Sequence, residues 1–243
     1  MGYAFPRGQW PSWAYKDMWA PELYFIDGGY RLYFTGRRGS DDSLCIGVAF
    51  SSKVNNGNDM AILSRPFKDL GEPILCEPQF QGAIDPYLVR DVRLDGHRLC
   101  ERADRLRMCF DCCRSQKLFM SWKRNVYLEG RDSIVIREIN EDGMTFPPTS
   151  KVITLLVADQ IGDQGVVEGQ SFIYRKPYYY MFYSSNNFKS PSYRVKVARS
   201  KSLTGPYRRH QQDVLHVDKL KHLLKINSTF VGPGKLSYTI PSL

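Results

Sequence analysis

Three carboxylates open three stretches of similar design: Glu22 in Trp19-Ala20-Pro21-Glu22, Asp85 in Gly82-Ala83-Ile84-Asp85-Pro86, and Glu168 in Val167-Glu168-Gly169-Gln170-Ser171. Each leads into an apolar or aromatic run with the composition of a β-strand, which would set an acid at the mouth of a sheet. Glu168 is the sharpest case. It follows Val166 and Val167 and precedes Phe172, and apolar neighbours that strip water from a carboxyl favour its protonated, proton-donating form. The plainer readings stand beside this one. Glu168 would serve equally as an exposed acid in an inter-strand turn, Asp85 before Pro86 is a common turn pair, and Glu22 lines a cavity or packs an inner strand.

The elements that must position these acids are strands. Trp19–Phe34 reads as strand, Asp27-Gly28-Gly29 turn, strand, and Leu44–Ser51 follows. Gly82–Arg90 is an apolar run whose partner appears only at Lys117–Trp122. Ser133–Asn140 alternates, and Lys151–Val157 is apolar. Phe172–Tyr174, Tyr178–Tyr183 and Tyr193–Ser200 complete the set, ending in a turn at Leu203–Tyr207. Val214–Leu224 is locally helix-like.

An internal repeat ties the strands together. A shift of 149 residues lays Tyr30–Thr35 on Tyr179–Ser184 and Val48–Ser51 on Val197–Ser200. Short antiparallel strands repeated at one offset predict propeller blades. Glu22 and Asp85 are 63 residues apart, Asp85 and Glu168 83, and the excess of 20 matches an inserted loop at residues 97–116. The expected organisation is one domain over residues 1–243 carrying that insertion.

Composition narrows the function class. With 42% hydrophobic and 13% aromatic residues the chain is globular rather than disordered. No apolar run approaches the roughly 20 residues of a spanning helix, so a soluble protein without a membrane partner is expected. The net charge of +9 is concentrated in His97–Arg124, which also holds Cys100, Cys109, Cys112 and Cys113. That cysteine cluster lacks the partner pair and histidine spacing of a zinc site. A basic propeller binding nucleic acid through this segment and Arg194–His210 is a remote alternative, because stacking aromatics are not interleaved with the charges.

These pieces, together with Cys45-Ile46-Gly47-Val48-Ala49 and Ala198–Tyr207, resemble the glycoside hydrolases of family 43, the arabinanase, arabinofuranosidase and β-xylosidase group. They occur in the family's order over about Trp10 to Arg209. The resemblance implies an all-β, five-bladed β-propeller, incomplete here, with about three recognisable blades plus partial ends. It also implies hydrolysis of arabinose- or xylose-containing polysaccharide by inversion. That reaction needs one protonated carboxyl to protonate the leaving oxygen and an ionised one on the opposite face to activate water. Glu168 matches the general acid and Asp85 the auxiliary aspartate that modulates its pKa.

The family's base lies in an Asp-Pro step one blade ahead of Trp-Ala-Pro-Glu. The one acid before Trp19 is Asp17, in a different context, so no residue is carried over as base. A catalytically inactive relative that binds carbohydrate at most is therefore the alternative expectation. Glu22, Trp19 and Phe172 are candidate substrate contacts; Trp19, Phe172 and Trp122 would stack on sugar faces or fill the core. The family's cavity histidine, which helps bind a metal ion such as calcium, is replaced by Lys235 after Gly232-Pro233-Gly234, and a protonated lysine cannot ligate a cation. No cofactor is expected. His97, His210, His216 and His222 form no ligand spacing. The resemblance implies an extracellular monomer, although the N-terminal residues lack the pattern of a secretory signal.

Overall fold

A computed structural model of the chain describes residue 5 and residues 10–51, 67–92, 117–125 and 130–209. The insertion expected at residues 97–116, the helix-like stretch Val214–Leu224, all four histidines and Lys235 lie outside the described residues.

The described residues form three antiparallel sheets, each a meander of strands in chain order. The first contains β1 (Ala14–Ile26), β2 (Gly29–Arg38), β3 (Leu44–Phe50) and β4 (Lys68–Asp69), with β5 (Leu75–Cys76) also pairing with β3. The second contains β6 (Ala83–Arg90), β7 (Leu118–Arg124), β8 (Ser133–Ile139) and β9 (Ile153–Val157). The third contains β10 (Val167–Arg175), β11 (Tyr178–Ser185), β12 (Arg194–Ser200) and β13 (Arg208–Arg209). Asp27 and Gly28 turn β1 into β2 with φ of 47° and 72°. Such left-handed pairs match the twist of the strands they join.

Alternation along β7 shows how the sheets stack. Leu118, Met120 and Trp122 pack with Tyr33, Ile46 and Val48 of the first sheet. Phe119, on the opposite face, joins Phe172, Met181 and Ala198 of the third. Successive side chains of a strand point to opposite faces, so Ser121 and Lys123 share the face of Phe119. The second sheet is thus buried on both sides, the way blades stack in a propeller.

The first strands of the three sheets, β1, β6 and β10, lie side by side. Each breaks register at the same point: between Trp19 and Glu22, between Ile84 and Tyr87, and between Glu168 and Ser171. A left-handed residue follows the first member of each pair: Ala20 (φ 47°), Asp85 (φ 55°) and Gly169 (φ 60°). These are bulges, in which one extra residue bends the strand and re-aims its side chains. The offset of 149 holds in the backbone, since Tyr33 pairs with Val48 as Phe182 pairs with Val197.

The bulges correct one expectation. Asp85 occupies the left-handed position, Glu168 stands one residue before it and Glu22 two residues after it, so the three acids are not equivalent. Measured between equivalent residues, Ala20, Asp85 and Gly169, the spacings are 65 and 84, and the excess of 19 still falls between β6 and β7.

Cys45 and Cys76 are joined by a disulfide that links β3 to β5. Of the basic segment's described cations, Lys117 pairs with Glu138 and Arg124 with buried Glu77.

Candidate active site

Asp85 is held from both neighbouring sheets. Its backbone N–H donates to Thr35 Oγ1 of β2 at 3.2 Å. From β10, Gly169 N–H donates to Asp85 Oδ2 at 2.8 Å, and Gln170 Nε2 donates to the Asp85 carbonyl at 2.7 Å. Aspartate tolerates the left-handed conformation better than most residues, which suits it to the bulge. Its carboxylate is thereby anchored to the residue that follows Glu168.

Glu168 is the second residue of β10 rather than part of a turn ahead of it. Its side chain is 15% exposed. Tyr193 Oη donates to Glu168 Oε1 at 2.8 Å, and Lys123 Nζ donates to Oε2 at 2.9 Å. Lys123 also lies 2.9 Å from Asp132 Oδ2, and the Lys123 and Asp132 side chains are only 6% and 8% exposed. Burial pulls the Lys123 ammonium's pKa down, but the charges of Glu168 and Asp132 outweigh it and the net shift is upward. The Tyr193 phenol is raised by burial first and by the charge of Glu168 second, with Asp85 adding to it. Asp85, Glu168 and Tyr193 therefore share one electrostatic environment.

Glu22 is half-buried near the junction of the first and second sheets. Tyr24 Oη lies 3.5 Å from Glu22 Oε2 and also accepts the Leu88 N–H at 3.0 Å. Burial raises the pKa of Tyr24 and Tyr87, and the charge of Glu22 adds to both shifts.

The aromatic candidates separate. Trp19, 47% exposed, stands in its blade where Glu168 stands in the third, directly before the left-handed residue. Phe172 does not share this exposure. It is 7% exposed within the core, with ring centroids 5.7 Å from Tyr87 and 6.0 Å from Tyr207, so it packs among other rings. Trp122 is fully buried and donates through Nε1 to Glu77 at 2.7 Å, a core role also. Asp17 is ion-paired with Arg37 at 2.5 Å.

Sequence reasoning missed Lys123, Asp132 and Tyr193. The one local signal was Lys123 itself, a lysine at the end of the apolar run Leu118–Trp122 on an alternating face. Among the described residues, no group of three or more His, Cys, Asp and Glu side chains is placed to hold a metal ion.

The family model described as Glycosyl hydrolases family 43 matches residues 111–236, more than half of the 243 residues. The chain belongs to that family. The extracellular endo-alpha-(1->5)-L-arabinanase 1 of Bacillus subtilis (strain 168) is 24% identical to it over 196 residues, 79% of this chain and 49% of the arabinanase. Among solved structures, a thermostable family-43 glycoside hydrolase superposes with a TM-score of 0.64 at 20% identity, covering 87% of this chain and 60% of the hydrolase. The endo-arabinase from Bacteroides thetaiotaomicron VPI-5482 gives a TM-score of 0.62 at 17% identity, over 86% of this chain and 66% of that one. The chain thus spans about half the length of the curated relative and under two thirds of these solved structures. Its three sheets are blades of the family 43 propeller, incomplete here.

Proposed function

We propose that this chain carries the proton-donor side of a glycosidase site acting on arabinose- or xylose-containing polysaccharide or its oligosaccharides, with inversion. Glu168 is the general acid, and Asp85, one bulge away, biases it toward its protonated form. The observation that carries this reading is the 2.8 Å hydrogen bond from Gly169 N–H to Asp85 Oδ2, which ties the two acids together across adjacent inner strands. Like charges near one another disfavour double ionisation, which is the effect this reading assigns to Asp85. Glu22 and exposed Trp19 extend the surface offered to the sugar. We assign the base to no residue of this chain.

The arabinanase relative is described as extracellular, and the Cys45–Cys76 disulfide suits an oxidising compartment, so we place the site of action outside the cytoplasm.

One observation favours a second reading, a carbohydrate-binding relative without turnover. Lys123 sits 2.9 Å from Glu168, and a cation there favours the ionised carboxylate rather than the proton donor. Hydrolysis distinguishes the two. With an arabino- or xylo-oligosaccharide, Glu168→Gln should lower the rate by about 10²–10⁴-fold, the usual worth of general acid catalysis. With a nitrophenyl glycoside, whose leaving group departs with little protonation, the loss should be smaller. No turnover of either substrate, with oligosaccharide binding intact, would sink the hydrolase reading in favour of the binding one.

A further inference from the structure

The repeat assigns a role to Lys123. In the first blade Thr35 pairs with Trp19, in the second Lys123 pairs with Ile84, and in the third Ser184 pairs with Glu168. All three partners directly precede the left-handed residue of their bulge, so Thr35, Lys123 and Ser184 occupy one structural position. From that position Thr35 reaches forward into the next blade, accepting the N–H of Asp85. Lys123 does the same one blade later, donating to the carboxyl of Glu168. The position works as a clasp between blades, and in the second blade its residue carries a charge.

That charge is enclosed. Lys123 is 6% exposed on the strand face shared with core residue Phe119, and both its carboxylate partners lie at 2.9 Å. With both acids ionised, one cation faces two anions. When Glu168 takes up a proton, Lys123 and Asp132 remain as a balanced pair.

We propose that Lys123 is the positioning residue of the Glu168 carboxyl: held by Asp132, it fixes the direction in which the carboxyl faces and divides its charge between the two acids. This deepens the reading of Glu168 as proton donor and rests on it. Asp132 is what reconciles a cation at the site with a carboxyl that must carry a proton. The groups facing Glu168 are Lys123 from β7, Asp85 from β6, Asp132 ahead of β8 through its contact with Lys123, and Tyr193 ahead of β12. Two acids and one cation surround it, and the phenol donates a hydrogen bond.

The test follows the Glu168 carboxyl signal through a pH titration of the full chain labelled with 13C-glutamate, the signal being identified by its loss in Glu168→Gln. In Asp132→Asn, Lys123 acts on Glu168 alone, and the titration midpoint should move down. In Lys123→Met the cation is gone and it should move up, each by about one to three pH units, the usual reach of a charge at this range. Should Lys123→Met fail to fold through the stranded Asp132, the double variant Lys123→Met/Asp132→Asn keeps the upward shift without a stranded charge. Lys123→Arg should leave the midpoint near that of the unaltered protein. Midpoints that stay put, or move the same way in Asp132→Asn and in the lysine-free variants, would overturn the proposal. Absence of hydrolysis would remove the glycosidase reading yet leave these shifts in place. Hydrolysis with unmoved midpoints would do the reverse.

Discussion

Replacing Asp85 probes the link between blades most directly, because its side chain does two separable things. It sustains a left-handed backbone with φ 55°, and its Oδ2 accepts the Gly169 N–H at 2.8 Å. Asp85→Asn keeps an acceptor oxygen and a residue type at ease in that conformation, and removes only the charge. A hydrogen bond to a charged group contributes about 1.5–3 kcal/mol and a neutral one about 0.5–1.5, so the asparagine variant should lose about 1 kcal/mol. Asp85→Ala removes the acceptor entirely and seats a residue that meets a left-handed penalty of roughly 1 kcal/mol, for a loss of about 3 kcal/mol in all. Urea unfolding followed by tryptophan fluorescence measures both. The midpoints should fall in the order unaltered, Asn, Ala, with the denaturant slope unchanged, so that the shift reports stability. Equal losses for the two variants, or a loss below about 1 kcal/mol for alanine, would refute the reasoning, since then neither the hydrogen bond nor the backbone demand is what holds the bulge.

The two remaining predictions concern the aromatic side chains and alkaline stability. Phe172→Ala should cost about 3–5 kcal/mol, as large core truncations do, whereas Trp19→Ala should change stability by no more than about 0.5 kcal/mol while weakening oligosaccharide binding measured by calorimetry. The opposite pattern would return Phe172 to the sugar site. Tyr183 is pushed up to about 12, by burial first and the charge of Asp163 next, and burial also raises Tyr33, Tyr193 and Tyr207. An unfolded tyrosine releases its proton near 10, so these groups stabilise the fold fully below about pH 10 and less as pH climbs toward 12 for Tyr183 and higher for the others. Urea midpoints should therefore drop between about pH 10 and pH 12; a flat profile would contradict the burial of the phenols.

Most of the strands were legible because their signals are local. The Asp27-Gly28 turn, the alternation in Ser133–Asn140 and the aromatic runs around Tyr178–Tyr183 each sit within a few residues, and the strands fall where these patterns place them. The offset of 149 was equally readable, since blades of one design repeat the same spacing of apolar side chains. Two-residue strands such as β4 and β13 carry no such pattern, and the pairing with a neighbour is what makes them strands.

The acids show where local reading stops. Glu22, Asp85 and Glu168 were visible as residues that open strands, but their relation to one another depends on three bulges, and a bulge is a difference between two strands rather than a property of one. The shift between Glu168 and Ser171 also bears on Phe172, which faces the core beside Tyr87 instead of a sugar. Lys123 and Glu168 lie 45 residues apart, and Cys45 and Cys76 31, with nothing between them that announces a contact. By itself the sequence determined the strands, the blade repeat and the candidate acids, because backbone geometry and side-chain alternation act over a few residues. The tertiary structure alone decided which faces meet, which carboxylate shares a lysine and which aromatic ring is left in water, because those depend on how one blade stacks on the next.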